Sequence, residues 1–173
     1  ENPVAARQSD YIARAANCPV YQNTFTEYFP IGEAKFARML EELEKAEHFI
    51  FMEYFIIEEG KMWNTIFEVL KRKAAQGLDV RLLYDDVGSL MTLPYRYYRT
   101  VEEAGIQCCA FNPFLPLLNA RMNNRDHRKI CVIDGWVGFT GGINLADEYI
   151  NVYPKHGHWK DTGILLKGHA VWS

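Results

Sequence analysis

Short apolar runs alternate with longer stretches of helical periodicity along most of this chain, and no other feature constrains the fold as much. Tyr21–Phe29, His48–Ile57, Asp79–Tyr84 and Ile106–Phe111 read as strands, rich in aromatic and aliphatic residues. After Gly32, Phe36, Met39, Leu40, Leu43 and Ala46 recur at helical spacing. Met62, Ile66, Val69 and Leu70 line one face of a helix over Lys61–Gln76, which Gly77 is placed to end. Pro94–Ala104 reads as a third helix, closed by Gly105. The β-branched run Ile130–Ile133 reads as a buried strand, Gly135 turns it into a hairpin partner over Trp136–Thr140, and Gly163–Leu166 adds one more strand. Such alternation predicts an α/β fold, a mixed β-sheet flanked by helices. Residues 1–19 are polar and alanine-rich and read as a linker or loosely docked lead-in. Residues 20–173 read as one lobe with no internal repeat.

The length of 173 residues suits one domain with a real core, and 49% hydrophobic with 24% charged residues is an ordinary globular balance. A net charge of −3 argues against broad nucleic-acid binding, which needs a basic face. Cys18, Cys108, Cys109 and Cys131 show neither C-x-x-C nor zinc-finger spacing and read as reduced structural thiols. No run reaches the roughly 18 apolar residues of a membrane span; Phe49–Ile57 is short and interrupted by Glu53.

The chemistry concentrates around Ile130–Ile133. His127, Lys129 and Asp134 form an H-x-K-x-x-x-x-D pattern, followed by Gly141-Gly142-Ile143-Asn144. Side chains two apart on an extended strand share a face, so His127 and Lys129 project together. An imidazole beside an ammonium, with an amide close behind, suits attack on a phosphodiester. Gly141 and Gly142 let backbone approach a phosphate, and their amides are candidate donors. Asp134 precedes Gly135, so a turn-forming role stands beside a catalytic one. Glu53 breaks an apolar strand and is either half-buried against a partner or adjacent to the site. Asp85 and Asp86 end a strand where α/β sheets place ligands, but turn and capping roles fit equally well. His156 and His158 lack a third metal ligand at suitable spacing. Phe111, Phe114, Leu115, Leu117 and Leu118 fall in a proline-bearing loop ahead of the motif and form a candidate lipid-facing patch.

The motif resembles the signature of the phospholipase D superfamily. The ordered set F-x-x-Y-F-I (51–56), L-L-Y-D-D-V-G-S (82–89), N-N-R-D-H-R-K (123–129), G-F-T-G-G-I-N-L-A-D-E-Y (138–149) and W-K-D-T-G (159–163) is similar to the first catalytic half of bacterial cardiolipin synthases. The resemblance implies that His127 is a nucleophile forming a phosphohistidine, and that Lys129 and Asn144 bind the non-bridging oxygens. It implies a carboxylate at Asp161 set against a catalytic histidine ring, of this lobe or another. It further implies phosphatidylglycerol as substrate, no metal or cofactor, no nucleic-acid partner and a membrane surface. Membrane helices before this segment and a second catalytic lobe after it are expected in the full-length protein, which would sit at the bacterial cell membrane while this fragment is soluble. A phospholipase D type hydrolase using water as acceptor is the alternative, and a homodimeric endonuclease a more distant one.

Overall fold

In the computed structural model, which describes residues 2–114 and 123–172, seven strands form one mixed sheet. The strands are β1 (Thr24–Phe29), β2 (Phe49–Tyr54), β3 (Asp79–Asp85), β4 (Gln107–Phe111), β5 (Ile130–Ile133), β6 (Val137–Gly141) and β7 (Gly163–Gly168). Their order across the sheet is β1-β7-β6-β5-β2-β3-β4. β2, β3 and β4 run parallel, and β1, β7, β6 and β5 pair antiparallel, with β5 against β2 at the join. The expected α/β class and mixed sheet are present.

Among the described residues four α-helices accompany the strands: α1 (Pro3–Ala15), α2 (Gly32–Glu44), α3 (Lys61–Ala75) and α4 (Tyr97–Glu103). α3 and α4 are the helical crossovers that the parallel pairs β2–β3 and β3–β4 require, and α2 connects β1 to β2. The apolar residues Met39, Leu43, Met62, Trp63, Ile66 and Leu70 of α2 and α3 pack with Ile50, Met52, Tyr54, Val80, Leu82, Tyr84, Cys131 and Ile133 in one core. α4 joins the same layer, its Tyr97 hydroxyl accepting a 2.8 Å bond from the Trp63 indole. It is shorter than Pro94–Ala104 because Arg96 enters it with a left-handed backbone. α1 was not legible as a helix from composition, yet the Asn2 side chain caps Val4 N–H and Pro3 opens the first turn. No α1 residue is buried. No helix among the described residues is long and apolar enough to cross a membrane.

The opposite sheet face is only half covered. Phe51, Arg81, Leu83, Ile130 and Val132 line a shallow hollow there, and the Arg81 guanidinium lies 4.7 Å from the Phe51 ring centre. Leu115, Leu117 and Leu118 of the candidate lipid patch lie outside the described residues.

The β5–β2 pairing is locked at one end by Asp134. Its backbone is left-handed (φ 53°), and its carboxylate accepts from the amides of Glu47, His48 and Phe49 at 2.8–2.9 Å. Burial pushes this carboxyl up, but the three amide donors more than offset that and hold its pKa below the usual range. Asp134→Ala therefore loses three charge-assisted bonds and leaves a strained backbone. We expect a loss of about 2–4 kcal/mol in stability, read as a lower urea midpoint. An unchanged midpoint would show that the cap is dispensable.

Candidate active site

The parallel strands β2 and β3 end at Tyr54 and Asp85, at the same edge where the chain enters β5. Asp85 is buried there and holds that entry segment. Its carboxylate accepts from Gly88 N–H (2.9 Å) and Asp126 N–H (2.9 Å), and pairs with the Arg125 guanidinium (3.2 Å). Asp86 accepts from Phe114 N–H at 2.7 Å. The sequence left ligand-binding and capping roles open for both, and the structure places both in loop capping.

The β2–β5 register pairs Met52 with Cys131 and Glu53 with Ile130, so one further step sets Lys129 opposite Tyr54. Alternation then turns Lys129 to the helix-covered face, where it is 3% exposed, whereas His127 remains exposed. One aromatic ring touches both. The Phe55 ring centre lies 4.5 Å from that of His127 and 5.1 Å from Lys129 Nζ. Lys129 Nζ donates to the His127 carbonyl at 2.5 Å, fixing the two residues relative to each other. Burial lowers the Lys129 pKa, and Asp161 followed by Asp126 pulls it partly back. The result is an accessible imidazole over a desolvated cation, which can attack an electrophile and stabilise the negative charge that develops.

Asn144 is buried behind this pair. Its Oδ1 accepts from Ile56 N–H at 3.0 Å and its Nδ2 donates to the Tyr149 hydroxyl at 2.7 Å. These bonds orient the amide and tie it to the segment carrying Phe55. Among the described residues the second Nδ2 hydrogen has no bond beyond the one to Tyr149. Gly141 and Gly142 serve close approach. A Cβ on Gly142 would lie 2.1 Å from Asp161 Oδ1, and one on Gly141 2.4 Å from the Thr162 carbonyl. The Gly142 amide already donates to Thr162 O at 3.1 Å, so it is not the phosphate donor that the sequence suggested. The two glycines instead bring Asp161 to the site, where its charge acts on both Lys129 and Lys35.

Two sequence-selected residues stand elsewhere. Asp134 is at the far end of β5, about 17 Å along the strand from Lys129 at roughly 3.3 Å per residue, bonded to the amides before β2. That separates it from His127 and Lys129 and gives it the structural part of the two roles open in the sequence. Glu53 is on the half-open face, since alternation along β2 opposes it to Met52 and Tyr54. It pairs there with Arg128 (2.7 Å), which in turn holds Asp126 (2.9 Å). It therefore lies behind the sheet rather than beside Lys129. Sequence reasoning missed Phe55, Tyr149, Arg125 and the buried Lys35. Only the regular alternation around Tyr54 and Lys129 carried a hint of their shared face. Among the described residues, no three His, Cys, Asp or Glu side chains are grouped to hold a metal ion.

Residues 39–153 match the family model described as cardiolipin synthase, PLD-like domain. The chain is 48% identical over 165 residues to an uncharacterized protein of Streptococcus mutans, covering 95% of this chain and 36% of that protein. It is 42% identical over 159 residues to a cardiolipin synthase of Halalkalibacterium halodurans, covering 91% of this chain and 31% of that one. The chain thus spans about a third of the length of the curated relatives it matches. NucT from Helicobacter pylori shares the fold at 12% identity, with a TM-score of 0.61 over 84% of this chain and 86% of that chain.

The Glu53–Asp126 pair predicts a pH signature. Burial, then the hydrogen bond and charge of Asp126, raises the Glu53 carboxyl from 4.5 to about 7, while Arg128 holds Asp126 below its usual range. A raised folded-state pKa contributes stability that is complete below pH 4.5 and lost as pH rises through 7. The Asp126 contribution runs the other way and is lost only as pH falls below about 3.8, outside that window. Glu53→Gln should therefore remove a decline in melting temperature between about pH 5 and 7.5. Identical slopes for the two proteins would refute the shared-proton reading.

Proposed function

The chain belongs to the cardiolipin synthase PLD-like domain family, and from that premise we propose that it supplies one half of a phosphatidyltransferase active site. The observation that carries this reading is the exposed His127 imidazole set over the buried Lys129 ammonium on the Phe55 ring. In the first step a ring nitrogen of His127 attacks the phosphorus of one phosphatidylglycerol. The phosphorus–oxygen bond to glycerol breaks, glycerol departs with a proton, and the phosphatidyl group stays on nitrogen as a phosphohistidine. In the second step the hydroxyl of another phosphatidylglycerol gives its proton to the group that protonated glycerol and attacks that phosphorus; the phosphorus–nitrogen bond breaks, restoring His127 and yielding cardiolipin.

Lys129 lowers the energy of both steps by opposing the charge on the non-bridging oxygens, more strongly in a desolvated site than in water. The remaining Nδ2 hydrogen of Asn144 is a candidate second donor. Asp161 supplies a carboxylate for an imidazolium, whether of His127 or of a histidine in a second lobe. One imidazole cannot act as nucleophile and leaving-group acid in the same step, so the proton for glycerol comes from a second histidine. A second lobe of the full-length protein is the natural source, and the phospholipid substrate places the working enzyme at a membrane surface.

In the full-length protein, His127→Ala should abolish cardiolipin formation, by about 1,000-fold or more, and abolish acid-labile labelling of the protein by phosphate-labelled phosphatidylglycerol. Retained turnover would sink the assignment of the nucleophile. The ratio of cardiolipin to phosphatidic acid reads the acceptor: a preponderance of phosphatidic acid would make the enzyme a hydrolase of the phospholipase D type.

A further inference from the structure

Lys35 is the least expected side chain in the core. It sits on α2 one turn before Met39, has no solvent exposure, and makes no ion pair or hydrogen bond among the described residues. Buried ammonium groups are ordinarily paired, because an uncompensated charge in the interior is costly. The surroundings are built to take this one. Its stem runs beneath β7 at Gly163, where a Cβ would stand 2.7 Å from Lys35 Cδ. Its Nζ lies 5.7 Å from the Tyr54 ring centre, and the Tyr54 hydroxyl is also buried with no hydrogen-bond partner among the described residues. The charges acting on it are Asp161 and Lys129, with the Cys131 thiol beside it. Tyr54 comes from β2, Lys129 and Cys131 from the β5 segment, and Asp161 from the approach to β7, so three elements converge on it.

Asp161 thus acts on both lysines, and Lys129, which also feels Asp126, is the one that meets the exposed His127 imidazole across the Phe55 ring. Lys35 forms no ion pair or hydrogen bond among the described residues, so its charge in this low-dielectric floor is opposed only at a distance by Asp161. We propose that Lys35 is a second, buried cation of the phosphate-binding site, acting through the field of the floor alongside Lys129 rather than by touching the ligand. This inference rests on the phosphoryl-transfer reading of His127 and Lys129, and extends it by naming a positioning residue. Burial brings the Lys35 pKa down to about 8, so an anion bound above it also keeps it protonated near neutral pH.

The test is calorimetric titration of the intact protein with inorganic phosphate at one fixed pH, together with melting temperatures. Lys35→Met keeps the length of the stem and removes the charge. It should weaken phosphate binding by about tenfold while leaving the melting temperature equal or higher, because an unpaired buried charge has been removed. A purely structural lysine gives the opposite pattern, a lower melting temperature with unchanged affinity. Lys35→Gln is the second variant, retaining a polar tip without the charge. An affinity within threefold of the original in either folded variant, or a fall in melting temperature in both, would overturn the proposal. Lys129→Met separates the two layers of argument. If it loses phosphate and Lys35→Met does not, only the role of Lys35 fails. If Lys129→Met binds phosphate normally, the phosphoryl site itself is misassigned and the inference goes with it.

Discussion

The antiparallel join between β5 and β2 is the constraint on which the site depends. A slip of one residue in that pairing would exchange the two faces of β5 and turn Lys129 out to the half-open side. Two carboxylates hold the strand from its ends. Asp134 grips the amides of Glu47, His48 and Phe49 beyond one end, and Asp85 grips Asp126 N–H and Arg125 at the other. Between them only four residues, Ile130–Ile133, are strand proper. A strand so short needs anchors outside its own ladder, and the sheet places them where the chain changes from parallel to antiparallel neighbours.

That arrangement also explains what could be read in the sequence. His127 and Lys129 were legible because strand periodicity is local, and a two-residue spacing states a shared side without knowledge of the partner strand. The face occupied by Glu53 follows from the same alternation, since it opposes Met52 and Tyr54. Its relation to Lys129 depends on the β2–β5 register, which no local pattern reveals. Lys35 was hidden for a similar reason. Helical periodicity marks Phe36, Met39, Leu40 and Leu43, and a lysine beside them reads as a solvated edge. Its burial follows from α2 lying against β7 at Gly163, 128 positions along the chain. Helices Gly32–Glu44 and Lys61–Ala75 lie within one or two residues of where periodicity and Gly77 put them. Gly105 marked the end of α4 to within two residues, but its start was missed because the left-handed Arg96 carries no strong local signal.

The sheet sorts its charges by face. On the helix side are Lys35, Lys129 and Asp161, and on the other are Glu53, Asp126 and Arg128. The second group is joined by ion pairs, two carboxyls against one guanidinium, with a proton making up the balance as pH falls. The first group is held differently. Asp161 acts on both of its ammoniums, and one of them, Lys35, has no hydrogen bond among the described residues.

An exposed nucleophile above buried cations divides the work in a way that solvent would otherwise frustrate. His127 has to reach an incoming phosphorus and so must stay accessible. A cation left equally accessible would be hydrated and screened, and its pull on a developing charge would shrink by the ratio of the dielectric constants. Burying Lys129 costs desolvation, visible as its lowered pKa, but leaves a charge that needs no reorganisation when negative charge appears above it. The same reasoning gives the Phe55 ring a function beyond packing. It seals Lys129 from water on one side and sets the His127 ring on the other, so a single side chain keeps the cation dry and the nucleophile aimed.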